Sequence, residues 1–149
     1  MNKLLPTDVS WLNKHFSQRN HSSFVTLSSV YGYSESELVS LFSIENNSMF
    51  CSTSGDMLLS VHADDAPHSQ VRIQLCVNKR VGDEYQVLEA YLNKMNANKL
   101  YSYVFPTEVA EIDVLQSLGF IKEVVFREHV FLEGSYIDII VYGQLRSAV

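Results

Sequence analysis

In the last third of this chain, Thr107 to Leu145, a helix with a defined stop runs into two strands with a defined meeting point. Val109, Ile112, Leu115 and Leu118 recur at helical spacing behind Pro106-Thr107, so they are expected to point inward. The segment closes on Leu118-Gly119-Phe120. Gly119 falls just past the last apolar position, where a left-handed cap calls for a residue without a Cβ. Val124 to Phe131 and Tyr136 to Tyr142 are dense in Val, Ile, Phe and Tyr, which suit a pleated, half-buried surface. Leu132-Glu133-Gly134-Ser135 between them reads as a hairpin turn.

The rest of the chain supplies the partners that such a helix and hairpin need. Thr7 or Asp8 caps a helix burying Val9, Leu12 and Phe16, and Ser34-Glu35-Ser36-Glu37 is a capping box ahead of Leu38, Leu41 and Phe42. Met49 to Thr53 and Met57 to His62 form a hairpin about Ser54-Gly55-Asp56, and 63–68 is a polar loop. Val71, Ile73, Leu75 and Val77 alternate with Arg72, Gln74 and Cys76, the pattern of a strand with one apolar face. Leu88, Tyr91, Leu92 and Met95 mark a helix, and Leu100 to Phe105 the next strand. With a short strand at Lys3-Leu4-Leu5, this order predicts an α/β fold: a mixed, mostly antiparallel sheet flanked by helices, in one domain spanning residues 1–149.

Composition narrows the function classes. Hydrophobic residues make up 46% and charged residues 19%, the balance of a folded chain. The net charge of −6 argues against nucleic acid or an anionic membrane as partner. No apolar run is long enough to span a bilayer and the first residues lack a signal-peptide core, so a cytoplasmic location is expected. Cys51 and Cys76 read as buried thiols, and no Cys/His cluster has zinc-ligand spacing.

The helix, its Leu-Gly-Phe exit and the closing hairpin with Gly134-Ser135-Tyr136-Ile137-Asp138 resemble the C-terminal half of GNAT-type acyl-CoA N-acyltransferases. Phe126-Arg127-Glu128-His129 is similar to the branch acting on ribosomal-protein N-termini and amino sugars. The resemblance implies a GNAT-like sheet and acetyl-CoA as cosubstrate, lying along Val71 to Val77 and the start of the next helix. It also implies an amine acceptor and a homodimer supported by the hairpin tail. A helix N-terminus suits a diphosphate because its amides and dipole face it. The implied cofactor-binding residues are Val77, Lys79, Arg80, Gly82, Asp83 and Tyr85.

The chain departs from the family pattern at several places. The family loop reads Gln or Arg, two residues, Gly, one residue, then Gly or Ala. Aligned on Leu88, this chain offers Arg80-Val81-Gly82-Asp83-Glu84-Tyr85, so Arg80 matches while Asp83 and Tyr85 replace the small residues. Glu108 stands where the family carries an Asn on the pantetheine arm, and Leu115 where it carries a thiolate-protonating Tyr. Amine acylation also needs a base. His62 and His129 are the candidate catalytic residues, with Glu123, Glu128 and Tyr103 behind them. Asp138 reads as a residue that holds the hairpin's geometry. Tyr101, Tyr103, Phe105, Tyr136 and Tyr142 read as core and sheet-face aromatics.

Three readings stay open at the level of sequence. One is an acyl-CoA N-acyltransferase working by direct transfer, with a backbone amide near Val77 steadying the oxyanion. Another is a GNAT-like binding or assembly module without acyl-CoA chemistry, its cleft filled by Tyr85 and its neighbours. A binder of a different ligand in the same cleft is a third.

Overall fold

Val71, Ile73, Leu75 and Val77 form the spine of the core, packed against Val87, Leu88 and Leu92 of one helix and Val114 and Leu115 of another. A computed structural model describes residues 4–6, 47–63, 70–78, 82–95, 97–132 and 134–146. The expected helices after Thr7 and Ser34, the loop over 64–68, and Lys79 and Arg80 lie outside the described residues. Seven strands make one sheet: β1 (Leu4–Pro6), β2 (Asn47–Ser52), β3 (Met57–Ala63), β4 (Gln70–Val77), β5 (Lys99–Val104), β6 (Ile121–Leu132) and β7 (Ser135–Leu145). The helices are α1 (Glu84–Leu92) and α2 (Val109–Ser117). The strand order is β1-β2-β3-β4-β5-β7-β6, and every pair is antiparallel except β4 with β5. This is the mixed, mostly antiparallel sheet expected from the sequence. No described helix is long and apolar enough to cross a membrane.

The helix stop falls where Gly119 places it. Gly119 has φ 90°, its N–H donates to the Gln116 carbonyl at 3.0 Å, and the Phe120 N–H donates to the Leu115 carbonyl at 3.0 Å. Those two bonds close the last turn in the Schellman pattern and let buried Phe120 seal the exit. The face of α2 differs from the expectation. Val109 is 71% exposed, whereas Glu111 is fully buried with Val114 and Leu115. The helix is rotated so that a carboxylate enters the core.

β4 also differs: beyond its exposed first residue, Gln70, both of its faces are covered, since Gln74 and Cys76 are as buried as the apolar set and only Arg72 is half-open. Cys51 and Cys76 are buried thiols, each in register with Leu58 from opposite sides. Two strand spacings, about 10 Å, separate them, beyond the roughly 7 Å reach of a disulfide. Among the aromatics, Phe105 and Tyr142 are core residues, but Tyr136 is 65% exposed at the hairpin end. Gly143 leaves space on β7 for the ion pair of Lys99 on β5 with Glu123 on β6, at 2.8 Å, since a Cβ there would overlap the Glu123 carboxylate.

Candidate active site

A parallel pair that parts company leaves two strand edges with backbone groups to satisfy. β4 and β5 are in register over only three pairs, Gln70 with Lys99, Val71 with Leu100 and Arg72 with Tyr101. Beyond Arg72, β4 runs on to Val77 beside β3 alone, while β5 runs on to Val104 beside β7. The result is a wedge that opens toward the C-terminal end of β4, where α1 begins.

Three buried polar side chains hold the wedge in place of a ladder. Gln74, 1% exposed, reaches from β4 to β5: its Nε2 donates to the Tyr103 carbonyl at 3.0 Å and its Oε1 accepts from the Tyr103 N–H at 2.8 Å. That side-chain amide pairs with a residue as a neighbouring strand would, and the Ser102 hydroxyl adds a third bond to the same Oε1 at 3.3 Å. Glu111 of α2 accepts the Val77 N–H at 3.1 Å. Glu108, at the N-cap position of α2, accepts the Phe105 N–H at 2.9 Å. The rotation of α2 follows from this. A buried amide at the end of β4 needs an acceptor, and Glu111 supplies it only from the core face of the helix.

The start of α1 is arranged in the same way. Glu84 is 1% exposed and its Oε2 accepts the Gly82 N–H at 3.1 Å. Asp83 occupies the N-cap position without a side-chain capping bond. Tyr85 is 37% exposed, and its hydroxyl is bonded to Glu89 of the same helix, which raises its pKa. At this helix start Glu84 is the buried side chain, and Tyr85 lies partly open beside it.

The candidate bases are not brought together. His62 is in register with Arg72, at the closed end of the wedge. His129 is exposed on the outermost strand, against the Phe126 ring at 5.2 Å between centroids. Four strand spacings separate β3 from β6, on the order of 20 Å. Glu123 is held by Lys99, and Tyr103 has its backbone bonded to Gln74. Glu128 donates its N–H to Asp138 Oδ1 at 2.7 Å, so Asp138 holds the hairpin's geometry, as read from the sequence. Leu115 is fully buried core, which leaves that position without a proton to give. Gln74, Glu84 and Glu111 are the residues that sequence reading passed over. Neither Gln74, which keeps the strand's alternation, nor Glu111, which falls between the apolar helical positions, carries a local signal of its burial.

The acyl-CoA that this architecture suggests can be tested against these contacts in two parts. The thioester end has a donor of the right kind in the Val77 N–H, but Glu111 occupies it and would have to give way before an acyl oxygen could take its place. The diphosphate end is opposed, because Glu84 already takes the Gly82 N–H and would sit beside the phosphates. Like charges a few ångströms apart repel by about 1–4 kcal/mol per pair at effective dielectrics between water and a protein surface.

No protein-family model and no curated protein sequence matches the chain. Solved structures do. Spermidine N-acetyltransferase from Vibrio cholerae, in complex with CoA and spermine, superposes with TM-score 0.77 at 16% identity over 99% of this chain and 96% of that one. The RimL ribosomal L7/L12 α-N-protein acetyltransferase in complex with coenzyme A gives 0.77 at 17% identity, with the same coverage of 99% and 96%. Ribosomal-protein-S5-alanine acetyltransferase from Vibrio fischeri gives 0.72 at 13%, covering 97% and 92%. At these identities the likeness speaks for architecture, and with the splayed strand pair it is decisive on that level: the chain has the GNAT N-acetyltransferase fold.

Proposed function

We propose that the protein is an acyl-CoA-dependent N-acyltransferase that moves an acetyl group to a primary amine. The observation that carries the proposal is the wedge between β4 and β5, with the Val77 N–H directed at a carboxyl oxygen inside it. Support comes also from the fold it shares with N-acetyltransferases whose structures contain CoA. Acetyl-CoA would supply the activated thioester. The chain's part is to place Val77 N–H against the acyl oxygen once Glu111 gives way, and to hold the nucleotide with Lys79, Arg80, Gly82, Asp83 and Tyr85. His62, one strand from β4 but five residues along it from Val77, about 16 Å, would take the amine proton through bridging water; His129 would serve only an acceptor reaching the outer hairpin. A cytoplasmic homodimer joined through the β6–β7 hairpin belongs to the same proposal, supported by Phe131 and Tyr136, 60% and 65% exposed at its tip. Calorimetry with acetyl-CoA and CoA up to millimolar concentration, with acetyl transfer to a panel of primary amines, tests it. Heat of binding and transfer are expected; neither heat nor transfer would remove the proposal.

A second reading has its own observation. Gln74, Glu108 and Glu111 satisfy the wedge's amides from within, as a scaffold that takes no ligand would require. Under that reading the domain acts as a binding or assembly module. Acetyl transfer to any amine above the uncatalysed rate excludes it.

A further inference from the structure

Arg72 is the last β4 residue in register with β5, so it stands where the two arms part. His62 on β3 and Tyr101 on β5 are its direct neighbours across the strands, with Cβ separations of about 4.5–5.5 Å between opposed residues. The guanidinium lies over the Tyr103 ring, 5.9 Å from its centroid. The Nε atom is buried and, among the described residues, has no hydrogen-bond partner. Among the described residues the ion pairs are Lys99 with Glu123 and Arg127 with Asp138, and no carboxylate is paired with Arg72.

A guanidinium stays charged at every physiological pH and offers five N–H groups in a planar fork. A tyrosine face stabilises the charge but takes no directed hydrogen bond in that plane. The strand gives no reason for the residue, since Val would pair equally well with β3 and β5 and would leave no side-chain donor orphaned. A half-buried cation with an unused N–H edge, at the closed end of a wedge, points to an anion supplied from outside.

We infer that Arg72 anchors a carboxylate carried by the acceptor, which makes that acceptor a small amino acid-like amine. The fork fits carboxylate and phosphate alike, but a chain of net charge −6 disfavours a dianion. This deepens the transferase proposal and rests on it for the acceptor's amine. Anion recognition itself can be measured without turnover.

Titrate the full chain with propionate, β-alanine, propylamine and inorganic phosphate, following arginine Nε–H resonances by NMR and binding by calorimetry. Propionate and β-alanine should bind and move one Nε–H resonance that is missing in Arg72→Gln; propylamine should do neither. Arg72→Gln should weaken β-alanine binding about ten- to a hundredfold, as for loss of a charge-assisted pair. Arg72→Lys, which keeps the charge without the fork, should recover part of it. Equal binding of propylamine and β-alanine, unchanged affinity in folded Arg72→Gln, or phosphate binding more tightly than propionate would each overturn the inference. If Arg72→Gln does not fold, the wild-type contrast between propionate and propylamine decides. Carboxylate binding without acetyl transfer to β-alanine would count against the transferase reading alone, whereas transfer indifferent to the carboxylate would count against Arg72 alone.

Discussion

The wedge between β4 and β5 and the bulge in β6 solve one problem in two environments. In each, strand pairing is interrupted and a side chain takes over an orphaned amide. At the bulge, register slips between Phe126 and Val130, and Asp138 accepts the Glu128 N–H with Arg127 3.5 Å from its other oxygen. The Arg127 side chain is 82% exposed, so water stands ready if that bond is lost. In the wedge, Gln74 and Glu111 are 1% and 0% exposed, and no water replaces them. The same hydrogen bond is therefore decisive inside the sheet and dispensable at its edge. A graded series of substitutions tests that contrast.

Gln74→Leu should have the largest effect. It keeps the volume roughly constant but strips acceptor and donor from both backbone groups of Tyr103. Two orphaned groups, part-buried, cost about 2–4 kcal/mol together. Urea denaturation should show the midpoint falling with little change in slope. A loss below about 1 kcal/mol would mean that the arms are held by something other than Gln74.

Glu111→Ala comes next, at about 1–3 kcal/mol for the buried Val77 N–H. Glu111→Gln sharpens it, because the amide oxygen still accepts while the charge is gone. Gln should therefore be far milder than Ala. Equal losses would show that the charge, and not the hydrogen bond, is what the wedge needs. In the transferase reading Glu111→Ala also empties the Val77 donor, so acetyl-CoA affinity should rise as stability falls.

These residues mark where sequence reading stopped. The fold was legible because alternation in Val71–Val77, the Gly119 stop and the Gly134 turn are local signals, and each stands where periodicity and backbone sterics put it. The wedge was not, because a splay has no local signature: it depends on how far two strands distant in sequence stay in register. Val109 illustrates the consequence, since helical spacing places it inward whereas Val77's need for an acceptor turns Glu111 inward instead. Gln74 read as a solvent-face residue because strand alternation cannot distinguish a solvated face from a second buried one. The histidines stood out by residue type, and type says nothing of the four strand spacings between them.

Glu84→Gln reports on the ligand rather than the fold. The Gly82 N–H keeps an oxygen acceptor while the charge beside the proposed diphosphate site disappears. CoA should bind about tenfold tighter, from roughly 1.4 kcal/mol of relieved repulsion. Pantetheine, which has no phosphate, should be unaffected. Equal tightening of both would place the diphosphate elsewhere. On the outer hairpin, Asp138→Ala should cost no more than about 1 kcal/mol, the usual worth of an exposed ion pair and bond. A larger loss would break the contrast between edge and interior.

The smallest effect isolates the backbone itself. Glu128 holds φ 49°, the left-handed region in which a residue with a Cβ is strained by about 1–2 kcal/mol. Glycine relieves that strain at the bulge but loosens the unfolded chain by about 0.4–1 kcal/mol, so Glu128→Gly should stabilise by a few tenths of a kcal/mol to about 1 kcal/mol. Glu128→Ala keeps the strain and the N–H bond to Asp138, and should be neutral. Matched thermal melts of the two variants check this, since they differ only in the Cβ. If alanine stabilises as much as glycine, the carboxylate of Glu128 is what destabilises the bulge. Edge and wedge would then share an electrostatic constraint, and water would no longer explain the difference between them.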